Sequence, residues 1–150
     1  MRQVRLLWVL PLLLAACVVD AGPPIPLPQG DLDAFAASVQ PIMAARCGDP
    51  TCHGRVDRPL ELYSQGRHRS DPARVFVEEA LTSDELADNA RNVAVFMLES
   101  ASVDECPVLV KPLARAAGGS WHGGGEIFPS RDDREYRAVQ AWLDALRVPE

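Results

Sequence analysis

Apolar residues at helical spacing, cut short by proline and glycine, decide what this chain can form. Asp31 precedes Leu32, Phe35, Ala36, Val39, Ile42 and Met43, an amphipathic-helix stripe with an N-cap residue in front of it. Pro41 interrupts that stripe, so the reading is a helix that breaks or kinks there, then a short turn from Pro41 to Arg46. Ser70, Asp71 and Pro72 open a short helix reaching about Leu81, with Pro72 suited to a first turn. Thr82 and Glu85 have capping-box spacing ahead of a longer helix, whose Leu86, Ala90, Val93, Ala94, Met97 and Leu98 share one face. Ser130 and Asp133 signal another N-cap, feeding a last helix with Tyr136, Val139, Trp142, Leu143 and Leu146 inward. Loops fill the rest: residues 54–70, and the stretch from Ser100 to Phe128, which Pro107, Pro112 and five glycines break up. Strand signal is confined to Val108, Leu109 and Val110, too few for a sheet. The predicted class is mainly α with long ordered loops, and such loops in a small domain need something to organise them.

The start of the chain reads as an address. Arg2 and Arg5 precede an apolar run from Leu6 to Ala16, the pattern of a secretory signal peptide over residues 1–16. The run contains Pro11 and is shorter than the roughly 18–20 apolar residues that span a bilayer. Leu14, Ala15, Ala16 and Cys17 then resemble the lipobox of bacterial lipoproteins. That resemblance implies cleavage before Cys17, acylation of Cys17, and anchorage in the cell envelope. Anchorage is stable because each buried CH₂ contributes about 0.8 kcal/mol. Val18 after the cysteine favours the outer membrane, with the domain facing the periplasm. An ordinary cleaved signal is the alternative. Residues 17–30 carry the lipidation site and a proline-rich tether, and residues 31–150 form the domain.

A length of 150 residues, 47% of them hydrophobic, suits one domain with one core. With 15 Lys+Arg against 21 Asp+Glu the net charge is −6, and removing Arg2 and Arg5 makes the mature chain more acidic still. That balance excludes a nucleic-acid partner, which needs a basic face. It suits a basic protein partner instead. Lys111 is the only lysine and carries no functional weight at this level.

Cys47 and Cys52, with His53 directly after the second, form a Cys-x4-Cys-His pattern. It is close to the Cys-x-x-Cys-His haem-attachment motif, with four spacer residues in place of two. Residues 35–54, together with Val110 to Leu113, His122 to Gly125 and Tyr136 to Leu143, resemble the cytochrome c-like domains of bacterial envelope proteins. The resemblance implies a small cytochrome c-like helical fold and one haem c. Cys47 and Cys52 would hold it through thioethers, with His53 as proximal iron ligand. It further implies an electron carrier serving a redox partner protein. No nucleophile–base pair or carboxylate dyad stands out to suggest an enzyme.

For the second axial ligand the leading candidate is His122, in a run with glycines at 118, 119 and 123–125 that lets the backbone approach a flat macrocycle. Met97 lies on an apolar helix stripe, Met43 points into the core, His68 lies between arginines, and an open iron is a further option. Arginines 55, 58, 67, 69 and 74 are candidates for the propionates, and Trp121 for packing on the ring. His122-Gly123-Gly124-Gly125 also matches an oxyanion-hole element of lipase-like hydrolases, but the required Gly-x-Ser-x-Gly elbow is absent. Two other uses of the cysteines stay open. One is zinc held by Cys47, Cys52 and His53 with His122 or Cys106. The other is a disulfide that staples a non-redox envelope lipoprotein of structural or binding role. Cys106 has no partner under the haem reading.

Overall fold

The structure, a computed structural model, describes residues 25–147. The apolar leader, Cys17 and the first part of the tether lie outside the described residues. The described chain is mainly α-helical, and its only β-type contacts are two isolated bridges. One of them ties its ends together, as Gln29 and Arg147 exchange backbone hydrogen bonds of 2.8 and 2.9 Å.

Residues 32–47 form one continuous helix, α1, so of the break or kink expected at Pro41 the break does not occur, and the segment from Pro41 to Arg46 continues the same helix. Asp31 caps it by accepting from the Ala34 N–H at 2.9 Å. The helix passes the proline by widening. The Gln40 N–H donates to the Phe35 carbonyl, five residues back, and the Gly48 N–H reaches the Met43 carbonyl in the same way. A wider turn makes room for the pyrrolidine ring, which clashes with the preceding turn of a regular α-helix.

Helix α2 (Ser83–Ala94) begins on the predicted capping box: Thr82 Oγ1 accepts from the Glu85 N–H, and the Glu85 carboxylate accepts from the Thr82 N–H. It tightens into a 3-10 turn at Val95–Glu99. That tightening rotates Leu98 off the apolar stripe, leaving it 41% exposed. Helix α3 (Pro107–Val110) is a single turn where the sequence carried its one strand signal, with Pro107 at its start. Helix α4 (Arg134–Asp144) is capped by Asp133, whose carboxylate accepts from the Glu135 and Tyr136 N–H groups.

The helix expected from Pro72 to Leu81 is not formed beyond the short turn Pro72–Arg74. Other bonds take its backbone groups. The Phe76 N–H donates to the Arg67 carbonyl, and the Val77 carbonyl accepts from Gly66. The carbonyls of Glu79 and Ala80 accept from the Arg69 guanidinium at 3.1 and 3.0 Å. Arg69 is itself buried against Glu85, with Nη2 2.7 Å from Oε2. The neighbouring Asn89, also buried, accepts from the Tyr63 N–H at 2.8 Å and donates to the Tyr63 carbonyl at 2.8 Å. Helix α2 therefore grips the long loop through Glu85 and Asn89.

One core joins all four helices. Phe35, Val39 and Met43 from α1 meet Val93 and Ala94 from α2, Leu109 from α3, and Tyr136, Val139, Trp142 and Leu143 from α4. The Phe35 and Trp142 rings lie 4.9 Å apart, a pairing that adds about 0.5–1.5 kcal/mol to their burial. The Trp142 indole N–H donates to the Asp31 carbonyl at 3.0 Å, locking α4 onto the start of α1.

Candidate functional site

Helix α1 ends at Cys47, and the chain turns back at once. Asp49 organises the turn: its carbonyl accepts from the Cys52 and Gly54 N–H groups, and its carboxylate from the Thr51 N–H at 2.8 Å. The His53 N–H then donates to the Cys47 carbonyl at 3.1 Å. The four-residue spacer thus closes on itself and returns His53 beside Cys47. Gly54 is required here, because a Cβ at that position would collide with the Gly48 carbonyl.

The turn forms one wall of a cavity of about 420 Å³. Cys47, Cys52 and His53 line it on that side, with Met43 and Leu60 behind them. Phe96, Pro107, Val108 and Pro112 supply apolar walls, and Trp121, His122, Gly123 and Gly124 close the far side. A cavity of this size and apolarity belongs to the range that holds cofactor-sized molecules, about 300–1,000 Å³.

The His53 and His122 rings face one another across this space, nearly parallel at 9°, with centroids 6.0 Å apart. Each Nδ1 lies against a backbone carbonyl, that of Leu60 for His53 at 2.9 Å and that of Gly125 for His122 at 3.1 Å. A carbonyl only accepts, so each Nδ1 is the donor in its bond. A histidine held in this way at one nitrogen has the other turned away from the carbonyl that orients it. Burial lowers the His53 pKa, and the nearby His122, Arg58 and Lys111 lower it further against the opposing pull of the Leu60 carbonyl. Its imidazole is therefore neutral at pH 7 and available as a ligand. Gly124 packs on the His122 ring, where a Cβ would stand 2.9 Å from Cε1.

The thiols differ in setting. Burial and the neighbouring Cys52 push the Cys47 thiol up to about 11, so it stays protonated at neutral pH. Cys52 is half-buried beside Thr51, whose hydroxyl lies 3.7 Å from its sulfur. Cys106 is fully buried in the core and lines no part of the cavity. All three described cysteines are free thiols. Among the described residues no group of three or more His, Cys, Asp or Glu side chains gathers as a metal site, so the four-ligand zinc set is not assembled.

The structure thus brings Cys47, Cys52, His53 and His122 to one cavity, while Cys17 lies outside the described residues. Met97 packs against the core and does not reach the cavity, whereas Met43 is both core and cavity floor. His68 is occupied elsewhere, with Nε2 2.8 Å from Glu61 and its ring stacked on Tyr63. Of the five arginines considered, Arg55 pairs with Asp57, Arg67 donates to the Ala44 carbonyl, Arg69 pairs with Glu85, and Arg74 pairs with Glu79. Arg58 alone lines the cavity, joined there by Lys111, which carries no signal in the sequence by itself. Trp121 stands at the rim, 77% exposed.

Fold and site together define a mainly α-helical domain that presents two imidazoles and two thiols to a single apolar cavity. Comparison with protein-family models, with curated proteins and with solved structures found no match to this chain. Among the described residues no helix is long and apolar enough to cross a membrane.

Proposed function

We propose that this domain holds one haem c and carries single electrons, tethered by a lipid on Cys17 in the cell envelope. The supporting observation is the histidine pair. Two imidazoles that share one metal ion at about 2 Å each place their centroids roughly 6 Å apart. The ring centroids of His53 and His122 are 6.0 Å apart, and in both rings it is Nδ1 that is turned to a backbone carbonyl. Two protein nitrogens alone make a poor site for a naked ion, but they suit a macrocycle that supplies the remaining donors in its plane.

The bound group would supply an iron that takes up and returns one electron. His53 and His122 would hold it, and the Leu60 and Gly125 carbonyls orient their rings. Cys47 and Cys52 stand beside His53, where their thiols serve thioether attachment. The apolar side chains of Met43, Phe96 and Val108 keep water from the cavity interior, which lowers the reorganisation that accompanies a change of charge. With His53 and His122 both engaged in holding it, the group would serve electron transfer.

The test is expression of the full chain with haem-maturation machinery, followed by acid–acetone extraction and a pyridine haemochrome spectrum. The expected result is haem that stays with the protein. A folded, colourless protein that takes up no added haemin overturns the proposal.

A further inference from the structure

Resting on the haem reading, the geometry points to a second recognition element in the same cavity: we propose that Arg58 and Lys111 anchor a doubly anionic edge of the ligand, the two propionates of a haem. The chain carries a net charge of −6, yet no Asp or Glu lines the cavity, while Arg58 and Lys111 both do. Lys111 is the only lysine of the chain, so its place at this cavity is set by one residue and not by a basic surface.

Both side chains stand exposed at the rim, whereas Met43, Leu60 and Val108 behind them are buried. The cavity is thus apolar inside and cationic at its mouth. Neither cation has an acidic partner among the described residues. Arg58 makes one long contact, from Nη2 to the Thr51 carbonyl at 3.4 Å, and is otherwise available. Two unpaired cations beside a ligand histidine disfavour any further positive charge at the site. They favour a ligand that brings negative charge of its own, and a planar guanidinium pairs with a carboxylate through two parallel bonds.

The experiment uses the full chain carrying Cys47→Ser and Cys52→Ser, so that binding is reversible, and titrates it with haemin and with haemin dimethyl ester in the same detergent. The Soret band reports occupancy. Haemin is expected to bind more tightly than the ester, with a gap that narrows as salt rises. Lys111→Gln and Arg58→Gln are each expected to weaken haemin binding by about tenfold and to leave the ester unchanged. Lys111→Arg should restore haemin affinity. Arg115→Gln, which removes a cation that does not line the cavity, should leave it unchanged. Equal affinities for haemin and ester, or an equal loss in Arg115→Gln, overturn the anchor alone. A cooperatively folded parent that binds neither compound overturns the haem reading and the anchor with it.

Discussion

Glu85→Gln removes one charge from the interior and should destabilise the fold strongly. The wild-type carboxylate is an acceptor only, and the structure surrounds it with donors. Oε1 accepts from Arg69 Nε at 3.0 Å, from the Ser70 N–H at 2.9 Å and from the Ser70 hydroxyl at 3.0 Å. Oε2 accepts from Arg69 Nη2 at 2.7 Å and from the Thr82 N–H at 2.9 Å. Burial alone would raise the Glu85 pKa, but the bonds from Arg69, Thr82 and Ser70 outweigh it and hold the carboxyl far below the usual carboxylate range. A glutamine must point its NH₂ at one of these donor sets, and it leaves the Arg69 guanidinium buried without a counter-charge. Breaking a buried pair from one side costs about 3–5 kcal/mol. At roughly 4 °C per kcal/mol for a domain of this size, the midpoint should fall by roughly 12–20 °C. The assay is thermal unfolding for the midpoint and urea unfolding for the free energy, each followed by circular dichroism at several pH values. Because the folded pKa is depressed, the wild type holds this stability above the ordinary carboxylate pKa of about 4.3 and loses it as pH falls further. The gap between wild type and Glu85→Gln should therefore be full at pH 7 and shrink progressively below about pH 5. A loss under about 1 kcal/mol at pH 7, or a gap independent of pH, would refute the reasoning.

Three further outcomes are expected. With haem bound, His122→Ala should give a high-spin centre that binds carbon monoxide when reduced, while Met97→Leu stays low-spin; the reverse pattern transfers the axial role to Met97. Cys17→Ser should release the protein from membranes, as an unlipidated mass for the N-terminal peptide would register, and unchanged partitioning rules out the anchor. In the haem-loaded mature chain, Cys47 and Cys52 should resist alkylation after reduction, whereas Cys106 labels only once the fold is opened; three labelled thiols count against thioether attachment.

The helices of this fold were legible where a cap and a stripe agreed. Asp31, Thr82 with Glu85, and Asp133 each cap the helix that their spacing announced. The stripe of α4 buries Tyr136, Val139, Trp142 and Leu143. Legibility failed where a tertiary partner overruled a local signal. Pro41 reads as a breaker, but α1 is packed along its length through Phe35, Val39 and Met43, and widening a turn costs less than unpacking them. Val108 and Leu109 read as strand because they are β-branched or apolar, yet they enter the core as a helical turn after Pro107. Arg69 read as one of five arginine candidates for the propionates, and nothing local distinguishes it from Arg67 or Arg74. Its burial follows from Glu85, sixteen residues on, whose capping-box spacing hid a second role. Lys111 could have been noticed only as a singular residue, since its significance lies in facing a cavity formed by distant segments.

The network around Glu85 also bears on the site, because the segment it holds is continuous with the one that orients His53. The Leu60 carbonyl that accepts from His53 Nδ1 is followed by Leu62, whose N–H donates to the His53 carbonyl at 2.9 Å. Tyr63 is then clamped at both backbone groups by Asn89, and Arg69 is clamped by Glu85. Helix α2 thus fixes the loop at two points, and the loop in turn fixes the ring of His53. The opposite ring is held differently. His122 is oriented by Gly125 within its own turn, and the backbone ties of that segment to the rest of the fold lie at Ser120 and Ile127, which bond to Val110 and Pro112. One imidazole is therefore set rigidly by the core, and the other is carried on a glycine-rich span anchored at its two ends. On the proposed haem reading, the group would therefore lie between a ring tied through the loop to helix α2 and a ring tied only within its own glycine-rich turn.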